Sequence, residues 1–430
     1  MKKVLLIAFC FSILKLNAQV EIKVMQYNLL YYGLNVYECN SSNNGINNKT
    51  NYLKTIINSE KPDIFCVNEI HANNDTQNYL LWNVFTNSGY SSFARATTTG
   101  PSNFAGNQVY YDAHKFYLYA QSSVYANPAQ FDIYRFYYRS PDLLNGDTVK
   151  LTCIVGHLKA GNTPDDEATR AVATQNLMST LEAYYPVGNY LLMGDFNLYS
   201  SSEQSYQNLI NYTNSDYKFK DPINSAGSWN SNSNYENIHT QSTHYSNASN
   251  PCPSSGGMDD RFDFILCSNS LMNQSNKIHY VTYSYKTVGN DGNHYNNSIN
   301  DGTNNSVSAS VLDALYNNSD HLPVSLKLSI NQNPVDIEPI TQKYLDIKIQ
   351  NPVKEYLNVT IYVNDVFNSD NFNVEIYNLL GQKVYQNSIE KQINEINYQI
   401  PVLDLNSGLY ILRIYDNQNN FYQDKFIKLN

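Results

Sequence analysis

The chain has 430 residues, enough for two or three domains with sizeable cores. Hydrophobic content of 42% and aromatic content of 13% argue for a folded protein, and a net charge of -10 argues against a basic nucleic-acid groove of the usual kind. That charge does not exclude a nuclease, because bound cations supply positive charge locally.

Residues 1–19 read as a secretory signal peptide. Lys2-Lys3 forms a charged start, Val4 to Leu14 an apolar run, and Ala18 a small residue before the cut. The run is too short to span a bilayer and nothing later does so, which implies no stable membrane insertion. Cys10 leaves with this segment. Cys66, Cys153 and Cys267 lie in apolar runs and read as buried thiols, while Cys39 and Cys252 lie in polar loops and could pair. No Cys/His spacing suggests zinc.

Val20 to Tyr27 reads as a first strand ending at Asn28. A helix with Leu53, Ile56 and Ile57 at helical spacing follows, and Pro62 breaks it. Ile64 to Val67 is a second buried strand, closed by Asn68-Glu69. Asn107 to Arg139 is strand-rich and full of Tyr and Phe. Val149 to Gly156 is another strand, with His157 where it ends. Thr163-Pro164-Asp165-Asp166 has the composition of a helix start, and that helix runs to about Glu182.

Tyr190-Leu191-Leu192-Met193 reads as a buried strand leading into Gly194-Asp195-Phe196-Asn197. Gly194 lets a substrate or another backbone come close. An extended backbone would point Asp195 and Asn197 to one face and Phe196 to the other. Gly, Asp and Asn are also common turn formers, so the stretch gains meaning only from what shares its site.

Pro222 to Met258 reads as a long Ser- and Asn-rich loop. In the strand Arg261 to Leu266, Asp263 stands among large apolar residues and needs a partner. Arg261 is a poor one, since strand neighbours point to opposite faces, so a His or a metal elsewhere is expected. The loop Gly289 to Ser308 carries Asp291 and Asp301. Their spacing could suggest a structural calcium ion, but the twelve-residue calcium pattern is absent and a solvated loop is the favoured reading. Ser319-Asp320-His321-Leu322-Pro323 then opens an alternating strand, Val324 to Ile330.

Residues 331–342 read as a linker, and 343–430 as a small all-β sandwich without His, Cys or convergent acids. Before it, Asn28, Glu69, His157, Asp195, Asn197, Asp263, Asp320 and His321 all lie at or near strand ends or in a buried strand. A layered sheet brings such ends to one rim. Oxygen donors of this kind suit magnesium or manganese, and such a site suits hydrolysis of a phosphate ester.

The order and wording of these stretches resembles the endonuclease/exonuclease/phosphatase superfamily, over residues 20–330. That resemblance implies a four-layer α/β sandwich of two packed mixed sheets flanked by helices. It implies Glu69 as principal metal ligand with Asn28 near the same cation. Asp195 and Asn197 would position the attacking water and the phosphate, and Asp320 would be a second-site metal ligand or electrostatic partner. His321 would act as base or phosphate binder, oriented by Asp263, and His157 would contact phosphate or protonate the leaving oxygen.

The tail, through Asn351-Pro352-Val353, Leu380-Gly381-Gln382-Lys383-Val384 and Ser407-Gly408-Leu409-Tyr410, is similar to type IX secretion C-terminal sorting domains. It implies the type IX secretion machinery as partner, and a secreted or cell-surface product. The leading reading is a monomeric, secreted, metal-dependent nuclease acting on DNA, or RNA. A sphingomyelinase-type phospholipid phosphodiesterase and a small-molecule phosphatase are the alternatives. The former would use an exposed apolar hairpin, for which Phe116 to Tyr138 is the candidate, although an ordinary sheet strand explains its alternation better. A binding module that keeps the fold without catalysis is a third reading, disfavoured because every expected catalytic position is filled.

Overall fold

In a computed structural model of the chain, the described residues are 19–429 except 103, 141, 142, 144–147, 332–344, 364–370, 379–381, 391–394 and 417–420. The expected linker beyond 331 and all but the last residue of the expected signal peptide lie outside them. Gln19 itself already belongs to the first strand. The chain divides into two compact units at Pro334/Val335.

The larger unit contains strands β1 (Gln19–Tyr32), β2 (Ile64–His71), β3 (Phe93–Arg95), β4 (Ala105–Asp112), β5 (Phe116–Tyr125), β6 (Gln130–Tyr138), β7 (Lys150–His157), β8 (Tyr190–Asp195), β9 (Phe219–Lys220), β10 (Asp263–Ser268), β11 (Ile278–Tyr280), β12 (Lys286–Thr287) and β13 (Val324–Asn331). Its helices are α1 (Ile46–Glu60), α2 (Asn74–Leu80), α3 (Pro164–Tyr184), α4 (Gln204–Ile210), α5 (Asn269–Met272) and α6 (Ala309–Asn318). One sheet runs β11-β13-β1-β2-β4-β3, with β12 also on β13, and the other runs β5-β6-β7-β8-β10-β9.

The two sheets pack face to face with helices outside, a four-layer α/β sandwich. Strand alternation builds the layers. Val24 and Cys66 point inward and meet Cys153, Met193 and Cys267 of the facing sheet. Their neighbours Met25, Phe65 and Val67 point outward onto Leu53 and Ile57 of α1 and Leu315 of α6. On the other side Ile154, Leu192 and Phe264 meet Leu177 and Leu181 of α3. The three free thiols are buried, as their apolar runs suggest.

Helix α3 starts as expected. Thr163 Oγ1 accepts from Asp166 N, the Asp166 carboxylate accepts from Thr163 N, and Pro164 takes the first helical position. Helices α2, α4 and α6 were not anticipated. The sequence does carry a signal for α6, with Val311, Ala314 and Leu315 spaced for one apolar face. The segment Phe116 to Tyr138 forms β5 and β6, nine paired positions within a sheet, rather than a projecting hairpin.

Two features place the functional rim. The central pairs β1–β2 and β7–β8 are parallel, so all four carboxyl-terminal ends lie together. Strands β10 and β13 are antiparallel to their neighbours β8 and β1, so their amino-terminal ends join the same rim. Gly194, at φ 149°, faces Gly156 across the parallel pair, and a Cβ there would stand 1.8 Å from Gly156 O. The close approach is therefore backbone to backbone.

The smaller unit has a three-stranded sheet (Leu345–Ile349, Tyr356–Val363, Glu395–Pro401) and a four-stranded one (Asn371–Tyr377, Lys383–Glu390, Gly408–Asp416, Phe421–Lys428). Leu357, Ile361, Val374 and Leu412 fill a core between them. Among the described residues no helix is long and apolar enough to cross a membrane.

The Gly194 contact gives a direct test. Gly194→Ala is expected to destabilise the larger unit by about 3 kcal/mol, the upper end of overpacking costs. Urea unfolding followed by fluorescence checks it, and an unchanged midpoint would mean that β7 and β8 can separate freely.

Candidate functional site

Strands β1 and β2 do not stop where the sequence suggested. Both bulge and resume: the β1–β2 register shifts between Asn28 and Tyr32, and the β2–β4 register shifts between Val67 and Ile70. Leu30, Tyr31 and Glu69 adopt left-handed backbone angles at these bulges. Such angles cost of the order of 1–3 kcal/mol each for residues other than glycine. The bulges keep Asn28 and Glu69 at the rim while the strands continue beyond them.

Asp195 ends β8 and is 2% exposed. Its Oδ2 accepts from Asn28 Nδ2 at 3.0 Å, its Oδ1 accepts from Asn197 N at 3.0 Å, and its own N–H donates to Asn68 Oδ1 at 3.1 Å. Asn28 Nδ2 also donates to Glu69 Oε1 at 3.1 Å. Glu69 Oε2 accepts from Tyr31 N at 3.2 Å. His157 Nε2 lies 3.5 Å from Asp195 Oδ2 and 3.8 Å from Glu69 Oε1. Glu69, His157 and Asp195 thus offer three ligand atoms within 4.8 Å of one another.

The second imidazole is held from behind. His321 Nδ1 donates to Asp263 Oδ2 at 2.7 Å, and its Nε2 lies 3.6 Å from Asp195 Oδ2. Asp263 therefore has the histidine partner that its apolar surroundings demand. Arg261 goes elsewhere, into a buried bidentate pair with Asp221 at 2.7 and 2.9 Å. The Asp320 carboxylate accepts from Ser254 N at 2.9 Å, and Ser319 Oγ donates to Asn28 O at 2.8 Å.

The electrostatics follow from burial. Loss of solvent raises the carboxyl groups of Glu69 and Asp195 above their ordinary values, partly offset by the imidazoles nearby. Burial pulls His321 down, but Asp263 and Asp195 outweigh it and hold the ring well above its ordinary value. Lys49 of α1, fully buried, donates to Asn318 O, and burial lowers its pKa to about 7. Crowded buried carboxylates with Asp320 Oδ1 left without a hydrogen-bond partner among the described residues make a donor set that fits a divalent cation.

All eight anticipated residues reach this rim, and the one geometric departure is at Asn197. Asn28 turns its amide nitrogen to the carboxylates, while its oxygen accepts from Leu30 N at 2.9 Å. The amide thereby ties Glu69 to Asp195. Asp320 lies beside Gln241, apart from the trio of Glu69, His157 and Asp195, where its charge acts on Glu69 and His321. Asn197 is not extended. At φ 48° it turns back, and its Nδ2 donates to Leu158 O at 3.1 Å. Phe196 packs away from the site against Phe264.

The loop from Pro222 to Met258 supplies what the sequence did not signal. Gln241 Nε2 lies 2.7 Å from His321 Nε2, Thr240 Oγ1 accepts from Asp263 N, and Thr243 N donates to Asp320 O. Arg170 of α3, fully buried, binds Glu203 at 2.8 Å and donates to Lys159 O and Gly161 O, tying together the loops after β7 and β8. The carboxylates of the Gly289–Ser308 loop serve that loop instead: Asp291 bonds His294 at 2.8 Å, and Asp301 accepts from Ser298 N.

Glu69, His157, Asp195, Gln241, Asp320 and His321 line a cleft of about 360 Å³ that also includes Tyr37, Glu38, Pro251 and Pro253. Cys252 on its wall is joined by a disulfide to Cys39, next to the lining residue Glu38, across 213 residues of sequence. Replacing both with Ser is expected to lower stability by about 2–4 kcal/mol, and to raise KM because the wall loosens. Denaturant unfolding and steady-state kinetics measure the two effects, and an unchanged unfolding midpoint would make the link structurally idle.

The Asp263–His321 contact predicts thermodynamic coupling. Asp263→Asn and His321→Ala are each expected to lower turnover by about 100-fold or more, and the double variant little further than His321→Ala alone. Multiplicative losses would assign Asp263 to another task.

Comparison with known proteins comes down to two family models and a set of solved structures. The model described as the endonuclease/exonuclease/phosphatase family matches residues 25–282, more than half of the chain. The model described as the secretion system C-terminal sorting domain matches residues 351–429. No curated protein matches the sequence. Similar solved structures include a humanized TDP2 from D. rerio, with 11% identity, TM-score 0.45, and coverage of 72% of this chain and 98% of that one. The human Nocturnin catalytic domain has 15% identity, TM-score 0.42, and coverage of 73% and 97%. A mannosyl-6-phosphatase from Bacteroides thetaiotaomicron has 15% identity, TM-score 0.40, and coverage of 71% and 99%.

Proposed function

The chain belongs to the endonuclease/exonuclease/phosphatase family, whose members are hydrolases of phosphate esters, and from that premise we propose that it is a secreted phosphodiesterase cutting DNA, or RNA, with magnesium or manganese. The sorting tail marks it for export to the cell surface or beyond. The observation that carries the proposal is the convergence of Glu69, His157 and Asp195 within 4.8 Å, backed by the Asp263–His321 pair.

Glu69 would hold the cation, with Asp195 beside it. When bound, a divalent ion supplies positive charge against the phosphoryl oxygens, which an acidic protein otherwise lacks. Asp195, its carboxyl raised by burial, accepts the proton of the attacking water. His321, held through Nδ1 by Asp263, would turn Nε2 from Gln241 to a non-bridging phosphoryl oxygen. His157 is the most exposed of the three, its side chain 30% accessible, and would serve the leaving oxygen as proton donor, which leaves Glu69 and Asp195 as the cation's oxygen ligands. The bond from water oxygen to phosphorus forms as the ester bond breaks, leaving a phosphomonoester and an alcohol.

A phospholipid substrate is less well supported, since the segment that would dock on a membrane is built into the six-stranded sheet. The full chain should be incubated with plasmid DNA, single-stranded DNA, RNA, sphingomyelin vesicles and sugar phosphates, before and after chelation. The expected result is nucleic-acid cleavage lost on chelation and restored by magnesium. Glu69→Gln should lower the rate by at least about 100-fold, the scale of losing one charged group at a transition state, with an unchanged unfolding midpoint. Turnover of sphingomyelin or sugar phosphate alone would overturn the nuclease assignment.

A further inference from the structure

A second cavity, about 380 Å³, opens on the other side of His157. His157 lines both this groove and the catalytic cleft. The two cavities thus meet at one imidazole, so a diester bound in the cleft has the groove within reach of one substituent.

The groove's chemistry is narrow. Phe104 and Tyr125 border it, and both are highly exposed, at 64% and 72%. Pro101 and Pro128 add further apolar surface, and among the described residues no Lys, Arg, Asp or Glu lines it. The buried amide in its floor, Asn107, is already committed: Oδ1 accepts from Asn68, and Nδ2 donates to Asp132 Oδ2 and Gln130 O. Gln130, also in the lining, donates from Nε2 to Asp132 Oδ1, so the walls offer mainly aromatic and apolar surface.

We propose that this groove is a subsite for one unstacked nucleobase beside the scissile phosphate, held by stacking on Phe104 and Tyr125. The proposal rests on the phosphodiesterase reading of the adjoining site. Stacking on aromatic side chains tolerates every base, because each has a π-face. At about 380 Å³ the groove has room for one base with its sugar. A base inside a duplex is already stacked and paired, and extracting it costs a few kcal/mol. Single strands should therefore be the preferred form of the substrate.

The test uses single-stranded oligonucleotides that carry one abasic nucleotide at successive positions, cut by the full chain with magnesium. The wild type is expected to cut poorly at one fixed offset from the abasic nucleotide, and to prefer single-stranded over duplex DNA of the same sequence. Phe104→Ala and Tyr125→Ala should each raise KM by about 10-fold on intact strands, with a smaller effect on kcat. The ratio of kcat/KM for intact over abasic strands should fall toward one. Phe104→Trp and Tyr125→Phe should restore it, which a merely structural role would not require.

Cleavage by the wild type that ignores the abasic position would overturn the subsite while leaving the phosphodiesterase reading intact. Loss of activity in the Ala variants on sphingomyelin vesicles alone would overturn it in favour of a lipid. No cleavage of any strand by the wild type would instead remove the reading on which the subsite rests.

Discussion

Four carboxylates, Glu69, Asp195, Asp263 and Asp320, are nearly fully buried at one rim of the sandwich, and everything around them follows from that. An ionised carboxylate out of water is costly unless paired or hydrogen-bonded. Each of these therefore has a dedicated donor: Asn28 for Glu69 and Asp195, His321 for Asp263, and the Ser254 N–H for Asp320. Most of these donors are neutral, so the site keeps net negative charge. Neutral bracing preserves attraction for a cation that Lys or Arg partners would have cancelled.

Rigidity of the scaffold makes the crowding tolerable. Leu30, Tyr31, Glu69 and Asn197 all hold left-handed backbone angles around the cleft. That strain persists because the strands on either side are fixed by a packed interior, with Cys66 and Val24 on one sheet against Cys153 and Met193 on the other. The close contact of Gly156 and Gly194 brings β7 and β8 together so that His157 and Asp195 stand directly paired across the two strands. A wider separation would draw the imidazole out of reach of both acids.

The outer parts of the site are held by longer-range ties. The Cys39–Cys252 disulfide joins two loops that share the cleft wall, and it suits a chain whose tail directs it to an oxidising exterior. The buried Arg170–Glu203 pair fixes the loops that follow β7 and β8. Both devices limit loop motion without adding charge to the cleft.

Much of this was legible in the chain. Apolar runs closed by Asp195, His157 or Glu69 announce strand ends that carry chemistry, because local periodicity and a misplaced polar residue are both written in adjacent positions. Asp263 announced a missing partner by its surroundings, and His321 beside Asp320 was a fitting candidate. The β-bulges, the amide orientation of Asn28, and the parts played by Thr240, Gln241 and Ser254 were not legible. They are fixed by contacts between residues far apart in sequence, such as Gln241 with His321 or Ser254 with Asp320. The sequence by itself determined which side chains are too polar for the places where their strands put them. Only the tertiary structure decided how those side chains share one rim, since hydrogen-bond partners are assigned by distance in space and not along the chain.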